Sequence, residues 1–258
     1  MNCNKGYRFP MFGWLKNLKR KSWVSPSFNE RRGQSPHIVI IHYTGMKTVQ
    51  AALKRLCDPA VEVSAHYLIE EDGFVHSLVP EDKRAWHAGV SSWQGLSDLN
   101  SASIGIELVN TGHEFGYTEF PEKQMTALKK LLADIVVRHD IKPQHILGHS
   151  DIAPERKIDP GEKFDWRALA SEGLGLWAEP QEMDYQAAED IILNDGAFLE
   201  LLGAYGYDVS VEPKALISAY HRHFYPEKFL GDNNAEEIDV LSVARLLSLV
   251  RQAHEAGG

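Results

Sequence analysis

The chain has 258 residues, 43% of them hydrophobic and 24% charged, the usage of an ordinary globular protein and not of a disordered one. Its net charge of −9 is uneven: residues 1–35 carry eight Lys or Arg against one acid, a net of +7, and the remainder carries 19 basic against 35 acidic residues, a net of −16. An acidic body excludes the basic face of a nucleic-acid-binding protein, and no run approaches the ~18 apolar residues that cross a bilayer.

At roughly 150 residues per domain the length suits one medium domain with a small appendage. The N-terminus lacks the apolar stretch of a secretory signal, so a cytoplasmic location is expected, or a periplasmic one if the start site is misassigned. The basic arm, residues 1–35, includes MFGWLKNLKRK over Met11–Lys21. Two readings stand for it. One is a solvated tail; the other is a short amphipathic helix making weak contact with an anionic membrane through Lys16, Lys19, Arg20 and Lys21. Two cysteines, Cys3 and Cys57, provide no disulfide framework, and Cys57 in VQAALKRLCD reads as a small apolar group on a helix.

In chain order, HIVIIHY over His37–Tyr43 has the β-branched density of a buried strand. Lys47–Leu56 reads as a helix. Val61–Ile69 and Gly73–Val79 read as two strands meeting at Asp72-Gly73, a hairpin signal. Ser103–Val109 is a further strand. Pro121 opens a helix in which Met125, Leu128, Leu132, Ile135 and Val136 recur at helical spacing. Ile141–Leu147 then leads into the turn-rich GHSDIAPERKIDPG, and Phe164–Ala170 is a short helix. Gly173–Pro180 reads as a linker, followed by helical patterns over Gln186–Tyr205, Pro213–Phe224 and Ala235–His254. The expected fold is α/β: a mixed central sheet flanked by helices over residues 36–178, with a C-terminal three-helix module over 179–258.

Twelve histidines are present, and most histidines are structural. His42 differs because it ends an apolar strand beside a loop. His149 follows Leu147-Gly148 at another strand end, and Asp159 lies ten residues later. Two histidines and one carboxylate suit a catalytic zinc with its fourth position open to water. The pair His145 and His149 has the spacing of one helical face, but Pro143 and Gly148 argue against a helix there. His66, His76 and His87 are further ligand candidates, although hairpin histidines usually find a backbone or hydroxyl partner.

Five motifs in order, VIIHYTG around His42, VSAHYLI around His66, AWHAG over Ala85–Gly89, LNSASIGIELVN ending at Asn110, and GHSDIAPERKIDPG over Gly148–Gly161, resemble the zinc-dependent N-acetylmuramoyl-L-alanine amidases of the AmpD and AmiD type. The resemblance spans about residues 36–172, and IHYT with the helical tail points to the AmiD type. It implies one zinc per chain on His42, His149 and Asp159, with Glu107 as catalytic base and Lys157 as the transition-state cation. It also places Trp86, His87, Asn100 and Arg156 near the substrate groove. Glu155 stands where the family often has Gly. The chemistry agrees: water attacking an amide needs a base that returns the proton to nitrogen, and the oxyanion needs a positive partner. Taken alone, Glu107 would read as a capped strand end and Lys157 as a solvated loop charge.

The implied activity is hydrolysis of the amide between N-acetylmuramic acid, or its 1,6-anhydro form, and the L-alanine of peptidoglycan stem peptides. The expected partners are peptidoglycan fragments, with no nucleic acid, on a monomer. ELLGAYGYDV followed by ALISAYHRHFYP is loosely similar to peptidoglycan-binding helical modules. Two rival readings are a non-catalytic peptidoglycan receptor on the same fold and a zinc peptidase acting on the stem peptide.

Overall fold

The computed structural model describes residues 20–194, 196–231 and 234–257. Lys16, Lys19 and most of the amphipathic stretch lie outside the described residues. Among those described, no helix is long and apolar enough to cross a membrane. Contacts divide the chain into two units, one running to Gly89 and resuming over Asp98–Ile146, the other comprising Val90–Ser97 and the chain from Leu147 onward.

The first unit is built on a mixed sheet. β1 (Arg20–Ser22), β3 (Ile38–Tyr43), β4 (Tyr67–Ile69), β5 (Val75–Ser77), β7 (Ser103–Leu108) and β8 (Ile146–Gly148) lie in the order β1-β5-β4-β7-β3-β8. β4 and β5 are antiparallel, whereas β1 with β5, β4 with β7 and β3 with β7 are parallel. The run Ile38, Val39, Ile40, Ile41 is wholly buried, as a strand covered on both faces requires. α1 (Val49–Leu56) starts where the Thr48 hydroxyl accepts from the Ala51 N–H, a standard cap. It packs Ala52, Leu53 and Leu56 with Leu68 and Val109, with Cys57 against the same cluster in the apolar role expected of it. α3 (Glu122–His139) begins after Pro121 and buries Met125, Leu128, Leu132 and Ile135. Its buried Gln124 donates to the carbonyls of Ile69 and Val109 at the ends of two sheet strands.

Only Tyr67–Ile69 of the expected Val61–Ile69 strand pairs in the sheet. Glu62 takes positive φ, which breaks the extended run, and the Ser64 N–H bonds to Trp86 O instead. Short elements that were not foreseen include β6 (Lys83–Ala85) and α2 (Leu99–Ala102).

Part of the basic arm is structured. β1 pairs with β5, and β2 (Phe28–Glu30) pairs antiparallel with β6. Arg31 is buried and donates to Glu81 O at 2.8 Å and Ser101 O at 2.6 Å. Burial, opposed by the nearby acids Glu81 and Asp82, brings its guanidinium down to about 10. Nearby, burial works against the charge on Glu81, but His139, Arg138 and the Tyr67 hydroxyl donate to its carboxylate and hold it well below the usual range.

In the second unit, α4 (His149–Ile152) follows β8, and α5 (Trp166–Ala170), α6 (Glu182–Ile191), α7 (Ala197–Tyr205), α8 (Pro213–Phe224) and α9 (Val240–Gly257) complete the chain. The single helix expected over Gln186–Tyr205 is two. The break falls at Gly196, whose φ of +96° caps α7 in a conformation that side chains other than hydrogen rarely adopt. The C-terminal region therefore has four α-helices among the described residues instead of three. Tyr220 of α8 is wholly buried and donates to Ser242 O of α9 at 2.9 Å. Trp93 from the Val90–Ser97 segment packs edge-on to Tyr205 and Tyr207.

His66 is fully buried. Its Nδ1 accepts from the Gly105 N–H at 2.9 Å, so the ring proton sits on Nε2 and is donated to Lys83 O at 3.0 Å. Burial first, and the Arg31 charge second, lower its pKa to about 3. A histidine depressed from 6.5 takes up its proton more readily unfolded than folded, so its stabilising contribution is complete above pH ~6.5 and is lost as pH falls toward 3. Unfolding free energy measured by urea titration is expected to fall on acidification below pH 6.5. The slope in His66→Gln should be shallower by one proton, about 1.4 kcal/mol per pH unit; equal slopes would place the titration elsewhere.

Candidate active site

β3 and β7 pair in parallel with His42 opposite Glu107, Ile40 opposite Gly105 and Ile38 opposite Ser103. In-register neighbours project to one side of a sheet, and that side repeats every second residue. His42, Glu107, Gly105 and Ser103 therefore share one face, with His42 and Glu107 near its C-terminal edge.

His42 is buried and oriented by a chain of hydrogen bonds. Its Nε2 lies 3.1 Å from His87 Nδ1, His87 Nε2 lies 3.3 Å from Ser103 Oγ, and Ser103 Oγ donates to Leu99 O at 2.5 Å. Because the last hydroxyl proton is committed to a carbonyl, Ser103 receives from His87 Nε2–H, and His87 Nδ1 receives from His42 Nε2–H. Both rings are thus set as Nε2–H tautomers, which fixes the orientation of the His42 ring at the sheet edge. A metal-binding histidine commonly donates its other ring N–H in this way. Gly105 makes room for His87, since a Cβ there would fall 2.5 Å from the His87 Nδ1.

In the second unit, His149 opens α4 directly after β8, and its Nδ1 lies 3.0 Å from Asp159 Oδ2. Gly148 is required before it, because a Cβ would meet Pro160 Cδ at 2.9 Å. The Ser150 N–H donates to Asp159 O and the Ala153 N–H to His149 O, which closes the loop between the two residues. The Lys157 N–H donates to Ala153 O, and its side chain is half-buried. His42, His149 and Asp159 are all buried, each offers one ligand atom, and these atoms lie within 4.8 Å of one another. Two imidazoles and one carboxylate are the donor set that a zinc ion takes in an open catalytic site, so these residues fit the metal.

The other expected residues are distributed as follows. Asn100 is buried, and its Oδ1 accepts from the backbone N–H groups of His87 and Ala88. Trp86 is half-buried, and its indole N–H donates to Asn29 Oδ1. Arg156 is exposed and donates to Val90 O. Glu155 accepts from the Glu212 N–H at the start of α8. His66 and His76 have other partners: His76 Nε2 lies 2.5 Å from Glu70 Oε1. His145 packs edge-on to His37 within a 3-10 turn. Sequence reasoning missed an aromatic cluster in which Tyr43 lies beside His113 and Tyr117, with its hydroxyl 3.0 Å from His113 Nδ1. The available signal was Gly112, where a Cβ would meet the Tyr43 ring.

A parallel sheet edge bearing a histidine beside a glutamate, and a buried His-Asp pair on a tight loop, supply the donor set and the carboxylate base that a hydrolase able to hold a metal ion would use. The sequence profile of the N-acetylmuramoyl-L-alanine amidase family matches residues 32–162, and the chain belongs to that family. It is accordingly a hydrolase of the amide that joins N-acetylmuramic acid to L-alanine in peptidoglycan.

AmiD of Escherichia coli is 37% identical over 219 residues, covering 77% of this chain and 78% of the relative. The anhydro-N-acetylmuramyl-L-alanine amidase AmpD of Citrobacter freundii is 37% identical over 180 residues, covering 62% and 93%. The solved E. coli AmiD complex with anhydro-N-acetylmuramic acid-L-Ala-D-γ-Glu-L-Lys superposes with a TM-score of 0.72 at 32% identity, covering 88% of this chain and 98% of that one. AmpDh3 of Pseudomonas aeruginosa superposes at 0.74 and 31%, covering 95% and 99%.

Gly105→Ala is expected to push His87 off His42. Overpacking of this kind costs about 1–3 kcal/mol, and hydrolysis should fall further than thermal stability alone accounts for. Wild-type turnover in a folded Gly105→Ala protein, read by thermal melting beside an amidase assay, would contradict this account of His87.

Proposed function

We propose that this chain hydrolyses the amide between the lactyl group of N-acetylmuramic acid, or its 1,6-anhydro form, and the L-alanine of the stem peptide. It does so with one zinc ion held by His42, His149 and Asp159. The reading is carried by the buried His-His-Asp group in a chain that belongs to the amidase family. The substrates named for the relatives, anhydro-N-acetylmuramyl peptides, support the same substrate class.

When bound, zinc brings the pKa of water to about 7 and polarises a carbonyl. Glu107 stands opposite His42 across β3 and β7, where its carboxylate is suited to take the proton of the attacking water and return it to the leaving nitrogen. Lys157, two residues before Asp159, supplies positive charge for the oxyanion. Arg156 and Trp86 are the groups assigned to the peptide and glycan. The basic stretch around Lys16–Lys21 is assigned a weak contact with anionic surface, and the working form is a monomer in the cytoplasm.

This reading separates from a zinc peptidase by product: mass spectrometry of digested muropeptides should find free L-alanine amino termini and intact stem peptides. Cleavage within the stem would overturn it, and full activity after verified metal removal would overturn the zinc.

Glu107→Gln should keep zinc bound while the catalytic rate falls by about 10²–10⁴-fold. Lys157→Ala should also keep zinc and lose roughly 10²–10³-fold. Zinc content by atomic absorption beside single-turnover rates checks both. Loss of the metal in Glu107→Gln would make Glu107 a ligand.

A further inference from the structure

Asp151 sits in the chain between His149 and Asp159, two of the residues assigned to the metal, yet the function above does not use it. It is 1% exposed, and a carboxylate so placed is costly unless hydrogen bonds replace its water. It has three close contacts. The Gly148 N–H donates to Oδ2 at 2.7 Å, His223 Nδ1 lies 2.7 Å from the same oxygen, and the Tyr207 hydroxyl donates to Oδ1 at 2.7 Å. The first of these fixes the Leu147–Gly148 peptide, one residue before His149. The other two come from 72 and 56 residues downstream, in α8 and just after α7.

The downstream partners are themselves held rigidly. The His223 ring lies between Trp166 and Phe224, each with its centroid 3.7 Å away and nearly parallel. His223 Nε2 has no hydrogen-bond partner among the described residues, so the polar contact of this ring is the one to Asp151. Burial, with the Asp151 charge second, keeps the Tyr207 proton on its oxygen. On the other side, Ser150 and Ala153 tie the same turn to Asp159 and His149.

We propose that Asp151 is a positioning residue, loaded by Tyr207 and His223 of the C-terminal helices, which holds the β8–α4 turn in the shape in which His149 and Asp159 bind their metal. The C-terminal region thereby takes part in metal binding as well as in any contact with the cell wall. This inference rests on the zinc reading above.

The test is the zinc dissociation constant of the full-length chain, measured by competition with a chromophoric chelator, alongside the thermal midpoint. Tyr207→Phe and His223→Ala should each weaken zinc by about 10-fold or more, within the 10–100-fold range for groups that orient metal ligands. His223→Asn, whose side-chain N–H falls near the place of Nδ1–H, should restore most of the loss. Tyr220→Phe removes the bond to Ser242 in the same helices without touching Asp151, so it should lower the midpoint and leave zinc affinity unchanged. Should His223→Ala fail to fold, Tyr207→Phe decides, since it removes a single hydroxyl. Wild-type zinc affinity in folded Tyr207→Phe overturns the proposal, as does a Tyr220→Phe protein that loses zinc equally. A wild-type chain that binds no zinc overturns the functional reading instead.

Discussion

The parallel pairing of β3 with β7 is the constraint on which the site depends. Because side chains alternate across a strand, a slip of one residue would turn every partner to the opposite face. In the observed register His42 stands beside Glu107, and Gly105 leaves space on the same face for the His87 ring. Ile41, Ile104, Ile106 and Leu108 beside these positions are wholly buried, so the same packing that stabilises the sheet also fixes which polar groups reach its edge. Stability and chemistry are set by one alignment.

Around that sheet, buried polar groups are used repeatedly to fix direction. Arg31 gathers the carbonyls of Glu81 and Ser101, Gln124 closes two strand ends, and Glu81 draws together Tyr67, Arg138 and His139. Such groups gain little net stability, because water would satisfy them equally well. They do penalise every alternative packing in which one of them loses its partner. Arg31 also explains why residues just before the β3 strand belong to the fold despite their basic composition.

How far this was legible in the sequence follows from element length and contact range. The six-residue strands β3 and β7 and the 18-residue α3 carry enough periodic apolar residues to announce themselves. β6 and α2, of three and four residues, do not, and the strand expected from Val61 is cut short by the positive φ of Glu62. His42 and His149 could be singled out because each closes an apolar strand. The groups that orient them could not, because His87 is 45 residues from His42 and His223 is 72 from Asp151. Gly196 is a local signal that the helical pattern hides, a glycine whose left-handed conformation caps the start of α7 after α6 has ended at Ile191.

The chain from His42 through His87 and Ser103 to Leu99 O runs in one direction only, with each donor consuming the next acceptor. Reversing any link would set two protons or two lone pairs against each other. His42, His87, Ser103 and the glycine that makes room for them are therefore not four independent positions. Drift at one is tolerable only with compensation at another, so among natural variants of this chain these four should change together or not at all. That correlation would be a record of proton placement written in substitution patterns.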